Sequence, residues 1–191
     1  SSIKRWADDG TVRAIRTVGG HRRIPFEEAI RFVRTSSLQL IKPEILGLTD
    51  LKAVQPEAVA FDDQSEALYQ FLGEGEADKA RGLILSAYLN GRSPAQIVDG
   101  PIRSAMERLG EEWKHASQGV FREHRATEIA ISALHRLAAM IPEPVGRGPV
   151  AVGGAPSGDP YLLPSLAVTL VLRAAGVRAT NLGPNTPTNA L

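Results

Sequence analysis

The fold is decided near the end of the chain, where residues 149–183 read PVAVGGAPSGDPYLLPSLAVTLVLRAAGVRATNLG. The opening PVAV is a short apolar run of the kind that forms a buried strand. A loop rich in glycine and proline follows, then an amphipathic helix over 161–175 that ends at Gly176. Residues 177–182 return as a second strand. Strand, helix and strand in this order form the first unit of an open α/β sheet, so we predict a Rossmann-like, flavodoxin-like α/β domain over 149–191.

A sheet of two strands is too small to be the whole of such a domain. Two strands leave most of the sheet faces uncovered. We therefore expect the α/β domain to be truncated here and the sequence to be the interior of a longer protein. The predicted fold class is thus multidomain, with α and α/β parts.

The region before this domain is predicted to be helical. Between residues 62 and 144 the apolar residues recur at helical spacing in four segments, the third beginning at Ser93-Pro94 and the fourth at Phe121. Short connections between them predict a four-helix bundle. In residues 36–61, Pro43, Gly47 and Pro56 interrupt the apolar pattern, which predicts a linker with little structure of its own.

Composition excludes several classes of function. The chain has no cysteine, so disulfides, thiolate zinc sites and cysteine nucleophiles are ruled out. The longest apolar run, residues 162–172, is interrupted by Pro164 and is too short for a membrane helix. No serine lies beside a histidine in a catalytic pattern, and no ligand cluster has metal-site spacing. We expect a cytoplasmic protein that is not an enzyme, holds no metal through its own residues and has no membrane partner.

Charge is concentrated at the start of the chain. Residues 1–25 carry six basic and two acidic residues, a net charge of +4, whereas the whole chain carries +1. Such asymmetry is typical of a nucleic-acid-binding segment on a neutral-to-acidic body, and the alternative is a solvated basic hairpin without a nucleic-acid role. The candidate DNA-binding residues are Lys4, Arg5, Arg13, Arg16, His21, Arg22 and Arg23.

Two short motifs suggest how that segment would read DNA. SSIKRW at 1–6 together with GGHRR at 19–23 resembles the MerR and excisionase winged helix-turn-helix family. The resemblance implies a winged helix-turn-helix over residues 1–35 whose start is clipped, with double-stranded DNA as its partner. Lys4 and Arg5 would then enter the major groove, and the glycine-containing hairpin would bring its arginines to phosphates. Trp6 is expected to anchor the first helix on its own small core.

The remainder resembles the cobalamin-binding modules of light-responsive MerR-type regulators. The motifs are LGEEW at 109–113, the pair Glu123-His124, and LGPNTP at 182–187. In that family the tryptophan and the Glu-His pair cap the upper face of the corrin, and the last motif lies beside its lower side. The resemblance implies the cofactor-binding residues Trp113, Glu123, His124, Asp159, Tyr161, Gly183, Asn185 and Thr186.

The sequence departs from that family at both cobalt ligands. The family loop carries an acid, any residue, then His, two residues and Gly; here Tyr161 takes the histidine position and Pro164 the glycine position. Lys114 stands where the family's second histidine follows the tryptophan. A neutral phenol is a weak ligand at neutral pH, and a protonated amine cannot coordinate. Three interpretations follow: adenosylcobalamin bound without a lower histidine, a different chromophore such as haem or a bilin, or no cofactor.

The functional hypothesis is a ligand-gated transcriptional regulator. The sensory module would control homo-oligomerisation and thereby binding to the operator. In one alternative the module binds no cofactor and serves only oligomerisation or partner docking. A constitutive DNA-binding protein with a structural C-terminal part is one form of this alternative. In the other the chain is a corrinoid-carrying methyltransferase subunit, a role that has no use for the basic segment and requires the missing histidine.

Overall fold

The N-terminal segment consists of two helices separated by a small hairpin. The computed structural model describes residues 2–36, 38, 40–54, 63–113 and 119–190, with backbone alone for residues 113 and 190. Helix α1 (Ser2–Asp8) precedes strands β1 (Ile15–Arg16) and β2 (Arg22–Arg23), which pair antiparallel, and helix α2 (Phe26–Ser36) follows. Gly20 has φ +78° in the hairpin turn, a conformation that favours glycine. The Trp6 ring centroid lies 5.0 Å from that of Phe32, so Trp6 anchors α1 as expected.

The stretch predicted to be an unstructured linker is partly ordered. It contains two 3₁₀ helices, Pro43–Leu46 and Thr49–Ala53. Leu48 and Leu51 are buried in the same core as the later helices. The short turns pack against the following bundle, a long-range contact that local sequence pattern does not report. Residues 55–62, the end of this stretch and the start of the predicted bundle, lie outside the described residues.

The helical bundle is present, with one irregularity. Its elements are α3 (Gln64–Glu74), α4 (Ala77–Leu89), α5 (Pro94–Ile97), a π-helical turn (Val98–Ile102), α6 (Arg103–Trp113) and α7 (Gly119–Ala138). The segment α5 to α6 is one helix from which Pro101 removes a backbone donor, and the π turn forms at that point. Ser93 begins it with a capping box that includes Gln96.

A single apolar core joins these helices. Its fully buried side chains include Leu68, Leu72, Ile84, Ile97, Leu109, Leu134 and Leu137. The core extends to Ile30 of α2 and to Leu166 and Leu170 of the next domain. Burial of this apolar surface is the main source of stability for the assembly of helices.

The α/β segment has the predicted order. Strand β3 (Val150–Gly153), helix α8 (Leu163–Ala174) and strand β4 (Arg178–Asn181) are followed by a 3₁₀ turn, Thr188–Ala190. Strands β3 and β4 are parallel and in register from Val150 opposite Arg178 to Gly153 opposite Asn181. The bundle and the α/β segment confirm those parts of the predicted fold class. The winged helix-turn-helix stays a prediction, because helix, hairpin and helix in that order do not by themselves define it.

Candidate functional site

Two loops meet at the carboxyl edge of the small sheet. Because β3 and β4 are parallel neighbours, the chain leaves both strands at the same edge, where open α/β sheets bind ligands. The first loop, residues 154–162, leads to α8, and the second, residues 182–187, follows β4. Five of the predicted cofactor-binding residues lie on these two loops: Asp159, Tyr161, Gly183, Asn185 and Thr186.

Backbone hydrogen bonds hold the two loops together. The amide of Ala155 donates to the Gly183 carbonyl at 2.9 Å, and the amide of Thr186 donates to the Ala155 carbonyl at 2.8 Å. The Thr186 hydroxyl donates to the Gly183 carbonyl at 3.0 Å, and this residue is only 4% exposed. A Cβ on Gly154 would lie 2.5 Å from the Thr186 hydroxyl, so only glycine fits there. Thr186 and Gly183 therefore form the frame of the edge.

Asp159 and Asn185 also form hydrogen bonds within this frame. The amide of Asn185 donates to the Asp159 carbonyl at 2.9 Å, and the Asn185 side-chain oxygen accepts from the Gly158 amide at 3.1 Å. Asn185 has φ +52°, a left-handed conformation that asparagine tolerates. The Asp159 carboxylate accepts from the amide of Tyr161 at 2.9 Å. The Tyr161 side chain is 58% exposed, so it is the phenol that faces outward from the edge.

A cavity of about 370 Å³ lies beside these loops, between β3 and α8. Its lining includes Gly153, Tyr161, Val168 and Thr180. A second, apolar cleft of about 440 Å³ separates α8 from the π turn and α6. Met106 and Leu163 line this cleft together, which places the start of α8 beside α6. The edge loops and the bundle thus flank the same end of α8.

The other predicted cofactor residues lie on the bundle. Glu123 accepts from the Thr127 hydroxyl at 3.0 Å and lies 3.5 Å from the His124 imidazole. The His124 side chain is 71% exposed, whereas that of Glu123 is 22% exposed. Adjacent residues on a helix diverge, so they do not face one point. Trp113 is the last residue of α6. Its side chain, which the prediction concerns, lies outside the described atoms, and so do Lys114 and His115.

A polar network that sequence analysis missed surrounds this part of the bundle. The Tyr69 hydroxyl donates to the Glu112 carboxylate, which also accepts from Arg122 at 3.1 Å. The Arg108 guanidinium stacks 3.7 Å from the Tyr69 ring centroid. The hydrogen bond to Glu112, together with burial, raises the pKa of Tyr69. The network ties α3, α6 and α7 together next to Trp113. Its partners are 43 and 10 residues apart, so no local pattern reveals it.

Helix α7 is also fixed to the end of α3. The Gly73 carbonyl, in the last turn of α3, accepts from Arg122 at 3.3 Å and from Arg125 at 2.6 Å. Cations at a helix C-terminus interact favourably with its unpaired carbonyls. These arginines flank Glu123 and His124, so their anchoring sets the position of both predicted cofactor residues.

The basic N-terminal residues fall into two groups. Lys4, Arg5, Arg13, Arg16, His21 and Arg23 are exposed. Arg22 is instead paired with Asp8 of α1, which fastens the hairpin to the helix. The structure thus gives Arg22 a contact within the segment, and its predicted contact with a DNA phosphate stays a prediction.

Glu28 organises the base of this segment. Its buried carboxylate accepts from the backbone amide of Arg13 at 2.8 Å and from the Arg31 side chain. The Arg31 hydrogen bonds outweigh burial and lower the pKa of Glu28 to about 2. Arg31 also donates to the Thr11 carbonyl at 3.0 Å. One charged pair therefore connects α2 to the chain that leads into the hairpin.

Among residues 2–36, 38, 40–54, 63–113 and 119–190, histidine and acidic side chains form no group of three that could hold a metal ion. Within the same part of the chain, no helix has the length and apolar character needed to span a membrane.

Comparison with known proteins identifies one part of the chain. Residues 64–138, which span α3 to α7, match the family described as the B12 binding domain. The match covers less than half of the chain and shows that a B12 binding domain is present in the bundle. No curated protein sequence matches the chain.

Solved structures are similar to the chain in part, and we describe one of them. It is the methanol:cobalamin methyltransferase complex MtaBC from Methanosarcina barkeri, with 20% sequence identity and a TM-score of 0.33. The similarity covers 82% of this chain and 57% of that chain.

Proposed function

We propose that the protein is a DNA-binding transcriptional regulator that responds to a bound corrinoid. The observation that carries the proposal is the combination of a B12 binding domain with an exposed basic helix and hairpin on the same chain. The family match supports the corrinoid part. The DNA-binding part rests on the charge and exposure of the N-terminal segment.

Four basic residues are the best placed for DNA. Lys4 and Arg5 are exposed on α1, and Arg16 and Arg23 are exposed on opposite strands of the hairpin. Arginine and lysine in this arrangement recognise phosphates, and the salt dependence of binding counts their contacts. The Arg22–Asp8 pair orients the hairpin relative to α1, so it serves DNA binding indirectly.

The residues present fit a corrinoid held without a histidine from below. The two loops at the sheet edge form a preorganised, hydrogen-bonded frame with exposed Tyr161, next to a cavity of about 370 Å³. His21 lies in the hairpin, and His124 and His135 lie on α7. None of these three is on the edge loops.

The chemistry that adenosylcobalamin supplies is a cobalt–carbon bond that light can break. The chain would hold the cofactor between the edge loops and the bundle, with Glu123 and His124 positioned by Arg122 and Arg125. A change there would alter the association of sensory modules, and linked DNA-binding segments convert a modest change in association into a large change in operator occupancy.

The test has a cofactor arm and a DNA arm. Protein incubated with adenosylcobalamin in the dark and then desalted should retain the cobalamin absorption spectrum. Uptake of haem or a bilin in its place, or of nothing, would support one of the other interpretations of the module.

In the DNA arm, duplex DNA enriched from a random pool should bind with a steep salt dependence. The double variant R16A/R23A should flatten the slope of log affinity against log salt by about two. The variant R103Q, which removes an exposed arginine of α6, is the control. A chain that retains cobalamin and shows no salt-dependent DNA binding would contradict the regulator and favour a corrinoid carrier.

A further inference from the structure

Helix α2, the last element of the DNA-binding segment, does not stand apart from the bundle. Ile30 of α2 is 1% exposed and belongs to the core that contains Leu83 and Ile84 of α4. Phe26 and Val33 pack against the same core. A segment tethered by a flexible linker would keep its own separate core, whereas here one core is shared. The two modules therefore meet in a fixed orientation.

Arg34 of α2 contacts the junction between α2 and α4. Its guanidinium lies 3.6 Å from the ring centroid of Tyr88, a stacking distance. The same group donates to the backbone carbonyl of Tyr88 and to that of Arg92, the latter at 3.3 Å. The Tyr88 carbonyl belongs to the last turn of α4, where carbonyls carry partial negative charge, and the Arg92 carbonyl lies in the connection that follows this helix. One planar side chain thus combines stacking on Tyr88 with hydrogen bonds to the end of α4 and to the α4–α5 connection.

The acceptors of Arg34 lie within residues 64–138, the part of the chain that matches the B12 binding domain. Helix α4 packs against α3 and α7, and after Arg92 the chain enters α5, the π turn and α6. Helix α8 packs against α5. A cavity of about 590 Å³ is lined by Arg34 and Tyr88 together with Pro94 and residues of α8 such as Ala174. The junction therefore lies where the DNA-binding segment, the bundle and the α/β segment come together.

We infer that Arg34 is the positioning residue that couples the B12 binding domain to the DNA-binding segment. A shift of the α4–α5 connection moves both hydrogen-bond acceptors and the stacking surface of Arg34 at once, and α2 must follow. The inference rests on the proposed function. A coupling between two ligands is measured as the ratio of DNA affinities with and without cobalamin, and such ratios are commonly about 5- to 150-fold.

The experiment compares three variants of the full chain with the wild type. R34Q removes the charge and the planar stack, R34K keeps the charge alone, and R103Q removes an arginine whose partner, Glu107, lies on its own helix. DNA affinity is measured by fluorescence anisotropy, in the dark, with and without adenosylcobalamin. Cobalamin affinity and circular dichroism are measured in parallel, and if R34Q loses its helical signal, R34K carries the comparison.

We expect R103Q to keep the wild-type ratio, R34K to reduce it and R34Q to bring it within about twofold of unity, with cobalamin affinity unchanged in all three. If the DNA affinity of the wild type depends on cobalamin and R34Q keeps the same ratio of affinities, the role of Arg34 is contradicted while the proposed function is not. A wild type whose DNA affinity ignores cobalamin would contradict the proposed regulation, and the inference with it.

Discussion

Helix α4 and the second 3₁₀ helix approach each other closely at Gly82. A Cβ built on Gly82 would lie 2.4 Å from the Asp50 carbonyl oxygen and 3.1 Å from a methyl group of Val54. Real Cβ atoms do not come so near to a backbone oxygen. The substitution G82A must therefore push the 3₁₀ helix away from α4, and a backbone cannot give way as a flexible side chain would.

The cost of that displacement follows from the contacts around it. Overpacking of a filled core costs about 1–3 kcal/mol, and replacing helical glycine with alanine returns about 0.5–1 kcal/mol. The displacement also disturbs buried Asp50, which accepts from Arg81 at 3.0 Å, and loss of a buried pair adds further cost. Overpacking less the gain in helix propensity costs about 0–2.5 kcal/mol, so with the Asp50 contact we expect G82A to lower the free energy of unfolding by about 1–4 kcal/mol.

The matched control is G110A. Gly110 also lies inside a helix, α6, and a Cβ there would meet no atom within 4 Å. This variant should gain about 0.5–1 kcal/mol from helix propensity alone. Urea unfolding followed by circular dichroism measures both, with comparison of midpoints at equal slope. Equal stability of G82A and G110A would refute the reasoning and would mean that the 3₁₀ helix is not held against α4.

The remaining predictions concern pH and cobalt ligation. The Arg31 hydrogen bonds hold the pKa of Glu28 at about 2 in the folded chain, below its ordinary value of 4.5, so its contribution to stability is complete above about pH 4.5 and is lost as the pH falls towards 2. Because Arg31 is half-exposed, solvent screening limits this contribution to about 1–2 kcal/mol. The unfolding midpoint of E28Q should therefore differ from that of the wild type at about pH 6, and the two midpoints should converge at low pH. A difference that stays constant with pH would contradict the lowered pKa of Glu28. Replacing Tyr161 with histidine should strengthen cobalamin binding by about tenfold or more and shift its spectrum, whereas Y161F should bind as wild type does. We predict that no histidine of this chain binds cobalt from below. Splitting by a protein histidine in the electron paramagnetic resonance spectrum of the wild type with Co(II) cobalamin would contradict this prediction.

Local sequence determined the elements and their order. The Ser93-Pro94 start and the glycines at positions 20, 75 and 176 mark where the backbone turns or caps a helix, and each lies at such a point in the structure. Apolar residues at helical spacing predicted the bundle, and the run at 149–152 predicted β3. These features are short-range, because propensity and capping depend on neighbours a few residues away. The concentration of basic residues before Pro25 is likewise visible in the sequence.

Tertiary structure decided how those elements are joined. Leu48 and Leu51 are part of the core although the surrounding sequence predicts a linker, because their partners lie on α4. Arg22 pairs with Asp8, 14 residues away, and Arg34 reaches Tyr88, 54 residues away. The hydrogen-bonded frame at the sheet edge is of the same kind, since its two loops are separated by helix α8. Contacts at such separations depend on how helices pack, and no pattern along the chain encodes which charged side chain will meet which partner.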